Sequence, residues 1–470
     1  MEFDAVILGA GPAGYVCAIR LAQLGKKAAV VDPGPPGGTC LNVGCIPSKA
    51  FIRAGRLAEA ARRGSRIGVK VQGVEVDLPG LVSWKNQVVT RVTKGVGELL
   101  RLNKVPLLPG KGRIEAPGKV RVTLNEGGEE LLEAPEILVA TGSRPVELPS
   151  LPFDGERIWS STEALSPPFF PERLVVVGGG YVGLELGLAY AALGSEVTVV
   201  EALDGVLPGL DPDLRKTMAR VLKKRRLPVL APARALSAEK GPNGLVLQVE
   251  HKGTTRPIEA DAVLVTVGRK PWDGGCGLRE AGVTFDDKGF VETDGAGRTN
   301  VPGLRAMGDL AGPPMLAHKA SAEGKVLAES VAGDEKASFD PTAIPAVVFT
   351  DPEIATVGLT STQAADSGME TVEGVFPVRA LGRAATLDAL DGFFKVVAER
   401  SSRKVLGVHI MAPEASELIA AGALAVEKGL LLEDLACTIQ AHPTLAEAYP
   451  EAAEAAEGSA IHIFDLKKRS

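Results

Sequence analysis

One pattern occurs twice in this chain, and that repeat restricts its fold more than any other feature of the sequence. Phe3–Leu8 is a short apolar run of strand type, followed at once by Gly9-Ala-Gly11-Pro-Ala-Gly14. Ala13–Leu24 then reads as a helix closed by Gly25, and Ala28–Val31 as a second strand delivering Asp32. Glycines at these positions permit a tight turn and let backbone approach a pyrophosphate, with the helix N-terminus facing the phosphates. Asp32 is placed to accept a hydrogen bond from an adenosine ribose hydroxyl. Leu174–Val177, Gly178-Gly-Gly180-Tyr-Val182-Gly183, the helix Leu184–Leu193 and the strand Val197–Val200 repeat the order and end on Glu201. Two such units predict an α/β chain with two Rossmann-like domains and two nucleotide ligands. Glu201 favours a free 2′-hydroxyl, hence NAD(H), because a 2′-phosphate wants Arg or Lys and the next residues are Ala202, Leu203 and Asp204. The plainer alternatives are a glycine turn without ligand for the first unit and a solvated strand end for Glu201.

Between the two units lies Gly37-Gly-Thr39-Cys40-Leu-Asn-Val-Gly44-Cys45-Ile-Pro47-Ser-Lys49. On a regular helix, residues five apart are turned by about 140° and separated by about 7.5 Å along the axis. A disulfide wants Cα atoms roughly 4.4–6.8 Å apart. Pairing of Cys40 with Cys45 therefore needs a distorted backbone, for which Gly37, Gly38, Gly44 and Pro47 supply the freedom and the break. A helix continuing from Cys45 would put Lys49 on the same face, and an ammonium near a sulfur favours the reactive thiolate. Two buried thiols in a glycine-rich loop is the other reading of this spacing.

A second echo links Ile137–Gly142 before Pro145 to Val263–Gly268 before Pro271. Phe51–Arg63 and Ser83–Leu102 read as helices, and Val105–Val122 as short strands around Gly110-Lys-Gly112. Leu304–Asp309 reads as a strand closing on the acid, followed by Met315-Leu316-Ala317-His318 and a helix to about Val331. From Ala343 the texture changes to antiparallel strands (Phe349–Gly358, Phe393–Glu399, Val405–Met411) and helices (Ser416–Glu427, Leu431–Cys437), an α+β module. It ends in His442-Pro443-Thr-Leu-Ala-Glu447, with Pro443 expected at the first position of a helix. A Glu bound to one imidazole nitrogen fixes the tautomer and leaves the other as acid or base. A surface cap is the alternative.

Composition excludes several classes. A net charge of −6 without a basic block argues against nucleic-acid binding, and the Lys467–Arg469 tail is most simply solvated. Five cysteines in 470 residues are too few for a disulfide-stapled secreted framework. No Cys or His spacing suggests a metal site. Leu174–Leu193 has the length of a membrane span but contains Glu185 and glycines, and Met1–Asp4 lacks the basic start of a signal peptide. A cytoplasmic, reducing setting is expected, where a close cysteine pair is more often catalytic than structural.

Together the Cys40/Cys45 stretch, both glycine turns, Gly308-Asp309 and His442-Pro443-Thr444 resemble the pyridine nucleotide-disulfide oxidoreductases over essentially the whole chain, nearest to the branch that oxidises dihydrolipoamide. The resemblance implies two Rossmann-like FAD/NAD(P)-binding domains plus a C-terminal α+β dimerisation (interface) domain. The expected segments are 1–147 (FAD, first part), 148–273 (NAD), 274–343 (FAD/central, second part) and 344–470 (interface). It implies non-covalent FAD and NAD. Gly9, Gly11, Gly14, Asp32, Thr39, Cys40, Lys49, Gly112, Thr141, Gly142, Ser143 and Asp309, with Met315–His318 (Met315, Leu316, Ala317, His318), would contact the flavin nucleotide. Gly178, Gly180, Val182, Gly183, Glu185, Glu201 and Gly268 would form the NAD side, with Glu185 near Lys49. Cys45 would lie against the flavin, Cys40 would exchange with substrate, and His442, oriented by Glu447 and contributed to the partner subunit's site, would take the proton. It further implies a homodimer serving the lipoyl domains and peripheral subunit-binding domain of an E2 acyltransferase of a 2-oxo acid dehydrogenase complex. The chain departs from the family at Asp32 (more often Glu), Gln440 (usually His) and Trp272 (commonly Asn); nothing in the residues explains Trp272. The alternatives are a glutathione reductase-like enzyme, which usually carries basic residues after the second Rossmann strand, and a non-enzymatic FAD-binding redox scaffold.

Overall fold

The computed structural model describes residues 1–241 and 244–464, so the Lys467–Arg469 tail lies outside the described residues. Packing divides the chain into two units: Met1–Phe170 with Thr266–Asp340, and Pro171–Val265 with everything from Pro341 onward.

In the first unit, β1 (Ala5–Leu8) leads through the glycine turn into α1 (Pro12–Gln23) and back to β2 (Ala28–Asp32). Next come α2 (Gly38–Val43), α3 (Cys45–Arg63), α4 (Leu78–Leu102), β3 (Leu107–Ala116), β4 (Lys119–Leu124), β5 (Glu129–Glu133) and β6 (Glu136–Val139). Their sheet has the order Leu304–Ala306, β6, β1, β2, β3, β4, β5. It is parallel as far as β3 and antiparallel beyond. The four residues of β1 are buried without alternation, as a parallel strand covered on both faces requires. The connections leave β1 in opposite directions along the sheet, to β2 on one side and later to β6 on the other, and ligands of open α/β sheets sit at such a switch point, beyond the carboxyl ends of the strands. α1 is pinned there by its neighbour helix Ala317–Ala332, where a Cβ on Gly324 would come within 2.5 Å of the Ala13 carbonyl oxygen.

Several boundaries differ from expectation. The cysteine stretch is helical on both sides of Gly44, so the glycine-rich loop of the alternative reading does not form; α3 begins at Cys45 rather than Phe51, and α4 at Leu78 rather than Ser83. Asp77 caps α4 by accepting the Gly80 amide at 3.1 Å, a local signal that apolar periodicity does not show. Gly110 and Gly112 do not separate short strands: β3 runs straight through them. A side chain at Gly110 would meet the β4 backbone, and one at Gly112 would meet Leu8 and Val31. The Leu304 strand stops at Ala306, and Gly308–Leu310 forms a 3-10 turn.

The second unit repeats the architecture. Strands Val229–Leu230, Glu196–Val200, Arg173–Val177 and Ala262–Val265 run parallel in that order. Leu174–Leu193 thus divides into the end of a strand, a turn and the helix Tyr181–Leu193. Among the described residues no helix is long and apolar enough to cross a membrane. An antiparallel sheet of Ala233–Gly241, Gly244–His251 and Thr254–Ala260 was not anticipated.

The later part of this unit is an antiparallel sheet ordered Ala346–Val348, Glu353–Gly358, Val405–Ala412, Phe393–Glu399, Thr371–Pro377. Phe376, Phe394, Ile410 and Tyr449 are fully or almost fully buried in its core. Each such side chain contributes about 1.5–3 kcal/mol by leaving water. The Tyr449 hydroxyl keeps its polar end satisfied by donating to the Leu418 carbonyl at 2.6 Å.

Candidate active site

The first glycine turn is shaped for a ligand that contacts backbone. Gly9 has φ +108°, and a Cβ there would collide with the Ala140 carbonyl oxygen; one on Gly14 would collide with the Gly9 carbonyl oxygen. Gly11 caps α1 with no side chain, and the first turn holds no acid, so the opening amides of α1 are free of an internal anion. Asp32 accepts the Ala10 amide through Oδ2 and the Gly34 amide through Oδ1, both at 2.7 Å. Burial pushes its carboxyl upward, and the two amides oppose that. This cradle fits a dinucleotide.

The second turn reproduces the arrangement atom for atom. Gly178 has φ +109°, Gly180 caps its helix without a side-chain bond, and Glu201 accepts Gly179 N at 2.6 Å and Leu203 N at 2.7 Å. In each unit the acid holds the second residue of the glycine turn and the amide two residues beyond itself. Gly183 is buried, Val182 half-buried, and Glu185 buried with Oε1 accepting the Phe349 amide at 2.9 Å. This second cradle also fits a dinucleotide, and its acid accepts hydrogen bonds from backbone amides. Gly268 belongs to the first unit, where its carbonyl accepts the Val146 amide at 3.0 Å.

α2 carries Cys40 against the first turn. The Gly37 amide donates to the Ala10 carbonyl at 2.8 Å, and a Cβ on Gly38 would stand 2.7 Å from Gly11 Cα, so only glycine lets α2 come this close. Gly44, at φ −134° and ψ −107°, interrupts the helix between Val43 and Cys45. This break brings the sulfurs of Cys40 and Cys45 to near disulfide distance. The Cys40 thiol is pushed far up, first by its hydrogen bond with Cys45, then by burial and by the Cys45 charge; Lys49 pulls the other way and is outweighed. Once Cys45 carries a charge, loss of the Cys40 proton is therefore strongly disfavoured. Cys17 and Cys276 are buried, and burial pushes both thiols up to about 12, as inert core cysteines. Thr39 is exposed, and Lys49 half-buried on α3.

Around the far end of this site, Thr141 Oγ1 donates to the Trp272 carbonyl at 2.7 Å, Gly142 has φ +80°, and Ser143 Oγ donates to Asp309 Oδ2 at 2.5 Å. Met315, Leu316 and Ala317 are half-buried and His318 exposed at the start of the helix Ala317–Ala332. Sequence reasoning missed the support beneath them. Lys319 and Glu323 form a buried pair at 2.6 Å, and Glu323 accepts the Gly308 amide at 2.7 Å. Their spacing of four on a helix was the one available signal.

In the second unit His442 Nδ1 lies 2.7 Å from Glu447 Oε1. Pro443 does not begin a helix: Thr444 caps the 3-10 turn Leu445–Glu447, and the helix Ala448–Glu457 follows. Burial alone would raise the Glu447 carboxyl, but the bonds from His442 and the Thr444 amide bring it below the usual range. Among the described residues no group of three or more His, Cys, Asp or Glu could hold a metal ion.

Comparison with known proteins agrees with these features. The family model for pyridine nucleotide-disulphide oxidoreductases matches residues 3–324, and that for the dimerisation domain of the same family matches residues 344–453. The chain is 45% identical to the dihydrolipoyl dehydrogenase of Bacillus subtilis over 98% of each chain. It is 46% identical to that of Pseudomonas aeruginosa, covering 98% of this chain and 99% of the other. The solved structure of LpdA from Mycobacterium tuberculosis superposes with a TM-score of 0.89 at 30% identity, covering 97% of this chain and 99% of that one.

Proposed function

The chain belongs to the pyridine nucleotide-disulphide oxidoreductases, and from that membership we propose that it oxidises dihydrolipoamide to lipoamide and reduces NAD+ to NADH as a flavoprotein disulfide oxidoreductase. The observation that carries this reading is the thiol pair on either side of the Gly44 break, held against a glycine turn suited to a dinucleotide. The dihydrolipoyl dehydrogenases and this family use FAD and NAD. Bound FAD would supply the two-electron chemistry between the dithiol and NAD+. It would be held by the Gly9–Gly14 turn, Asp32, α2 and Asp309; NAD would be held by the Gly178–Gly183 turn and Glu201.

The protein's own residues account for the sulfur and proton steps. His442 uses Nδ1–H on Glu447 and so offers Nε2 to a substrate thiol. Nε2 accepts that proton, the substrate thiolate attacks the Cys40 sulfur, and the Cys40–Cys45 bond breaks with Cys45 leaving as thiolate. The second substrate thiol then attacks the first substrate sulfur, which closes the lipoyl disulfide and releases Cys40; Cys40 takes the first proton from Nε2, and Nε2 receives the proton of the second thiol. Two electrons and two protons leave the substrate. The raised Cys40 thiol suits a reduced pair in which Cys40 keeps its proton and a thiolate would lie at Cys45.

The dimerisation domain points to a homodimer, in which His442 of the partner subunit would complete each site. The dithiol would be presented by lipoyl domains of an E2 acyltransferase, with its peripheral subunit-binding domain docked on the dimer, in a cytoplasmic setting. The four-segment division at 147, 273 and 343 belongs to this reading. The test is steady-state NADH formation from dihydrolipoamide, together with a visible spectrum during reduction. A long-wavelength thiolate–flavin band in the wild type that is lost in Cys45→Ser supports the proposal. Reduction of glutathione disulfide by NADPH without dihydrolipoamide oxidation would move the chain to the glutathione reductase-like branch.

A further inference from the structure

A short two-stranded ribbon, Ser143–Pro145 against Arg269–Pro271, pairs Ser143 with Pro271 and Pro145 with Arg269 within the first unit. The Arg269 guanidinium turns back across it. Nε donates to Ser143 Oγ at 2.8 Å and Nη2 to the Ser143 carbonyl at 2.7 Å. An arginine has no acceptor, so Ser143 Oγ must receive the Nε proton on a lone pair, and its own proton must point elsewhere. It points to Asp309 Oδ2, 2.5 Å away. With Ser143 only 7% exposed, water does not compete for this arrangement. The direction of the three-residue chain is therefore fixed: guanidinium to hydroxyl to carboxylate.

Asp309 lies close enough to the buried Glu323 for its charge to disfavour ionisation there. Commitment of Oδ2 to Ser143 leaves Oδ1 as the oxygen that can accept from a ligand hydroxyl. We infer that Arg269 is a positioning residue for the flavin nucleotide, which acts through Ser143 to aim the Asp309 carboxylate. Ser143 then serves the site as a relay, since its single proton is already given to Asp309. The inference rests on the proposed reading that Asp309 contacts FAD.

The experiment measures FAD retention by the purified holoprotein, through recovery of flavin fluorescence on dilution, for wild type, Arg269→Gln, Ser143→Ala and the double variant. Each single variant is expected to hold FAD about tenfold more weakly, as for loss of a hydrogen bond to a charged group. The double variant is expected to be no weaker than the worse single one, because both cut one chain. Arg269→Lys, which keeps the charge but not the planar fork, is not expected to restore binding. Losses that add in the double variant, or wild-type retention in either single variant, overturn the relay alone. Restoration by lysine overturns the requirement for the fork. A wild-type protein that holds no FAD overturns the flavoprotein reading and this inference with it. Should Arg269→Gln fail to fold, as far-UV circular dichroism would show, Ser143→Ala decides: tenfold loss supports the relay, and unchanged retention overturns it.

Discussion

His442 and Glu447 are joined at 2.7 Å through Nδ1 and Oε1, while the second oxygen of the same carboxylate holds the Thr444 amide at 2.9 Å. The carboxylate is thus fixed by backbone before it orients the ring, although the imidazole is 78% exposed in the single chain. Replacement of Glu447 by Gln keeps the size of the side chain and removes the charge. We expect kcat for dihydrolipoamide oxidation to fall by about 10²-fold with little change in FAD content, the scale of a positioned general base. His442→Gln should fall at least as far. An unchanged kcat in Glu447→Gln would reduce this pair to a surface cap.

The matched acids of the two glycine turns should separate the two nucleotides. Glu201→Gln keeps one acceptor oxygen for Gly179 or Leu203 but loses the charge. The KM for NAD+ should rise by about tenfold while FAD stays bound, since a charge-assisted hydrogen bond is roughly twice a neutral one. Gly14→Ala drives a Cβ into the Gly9 carbonyl and should instead yield protein without flavin. Loss of FAD in Glu201→Gln, read from the visible spectrum, would contradict the assignment of the turns.

Lys395 is 4% exposed and ion-paired with Asp211, Asp213 and Glu373. Burial opposes its charge, but the three carboxylates outweigh that and hold the ammonium above its ordinary range. Its stabilising effect is therefore complete below about pH 10.4 and is lost only as the pH rises further. Lys395→Met strands Asp211, itself 1% exposed, and should cost about 3–5 kcal/mol in urea unfolding at neutral pH; Asp213 and Glu373 are too exposed to add much. Adding Asp211→Asn should recover most of the loss. A cost below about 1 kcal/mol would show that the cluster rearranges.

His409, opposite Lys395 on the neighbouring strand, is 1% exposed; Nε2 donates to the Leu359 carbonyl at 3.0 Å, and Nδ1 has no partner among the described residues. Burial, aided by Lys395, keeps the ring neutral against the pull of the Leu359 carbonyl, Asp211 and Glu373. The unfolded chain takes up a proton from about pH 6.5 downward while the folded ring resists. Stability should accordingly fall as pH drops below that point, by at most about 1.4 kcal/mol per pH unit. Urea midpoints at about pH 5 and pH 7.5 should converge in His409→Gln relative to wild type. Parallel losses in both proteins would place the acid sensitivity elsewhere.

Both nucleotide cradles were legible from residues because each is built within one strand, turn and strand, and because only glycine tolerates the φ of Gly9 and Gly178. The cysteine stretch was legible as a distorted backbone with Gly37, Gly38, Gly44 and Pro47 as its possible breaks, and the structure puts the interruption at Gly44. Element ends were less so. Pro443 looked like a helix start, yet the turn begins after Thr444, whose amide donates to Glu447 while its hydroxyl donates back to the Ala441 carbonyl, so side-chain bonds outweigh a fixed φ.

The order of apolar runs, glycines and acids by itself determined the two Rossmann-like units, their ligand class and the thiol pair, because these follow from chain periodicity over a few residues. Only the tertiary structure decided that Lys395 would meet Asp211, 184 residues away, and that Arg269 would reach Asp309 through Ser143, 126 and 166 residues distant. Such contacts depend on the register of strands that are remote in sequence, and a one-residue slip would turn each side chain to the opposite face. Local spacing carries no record of that register; it is set when the sheets pair and the buried charges find the partners that make burial tolerable.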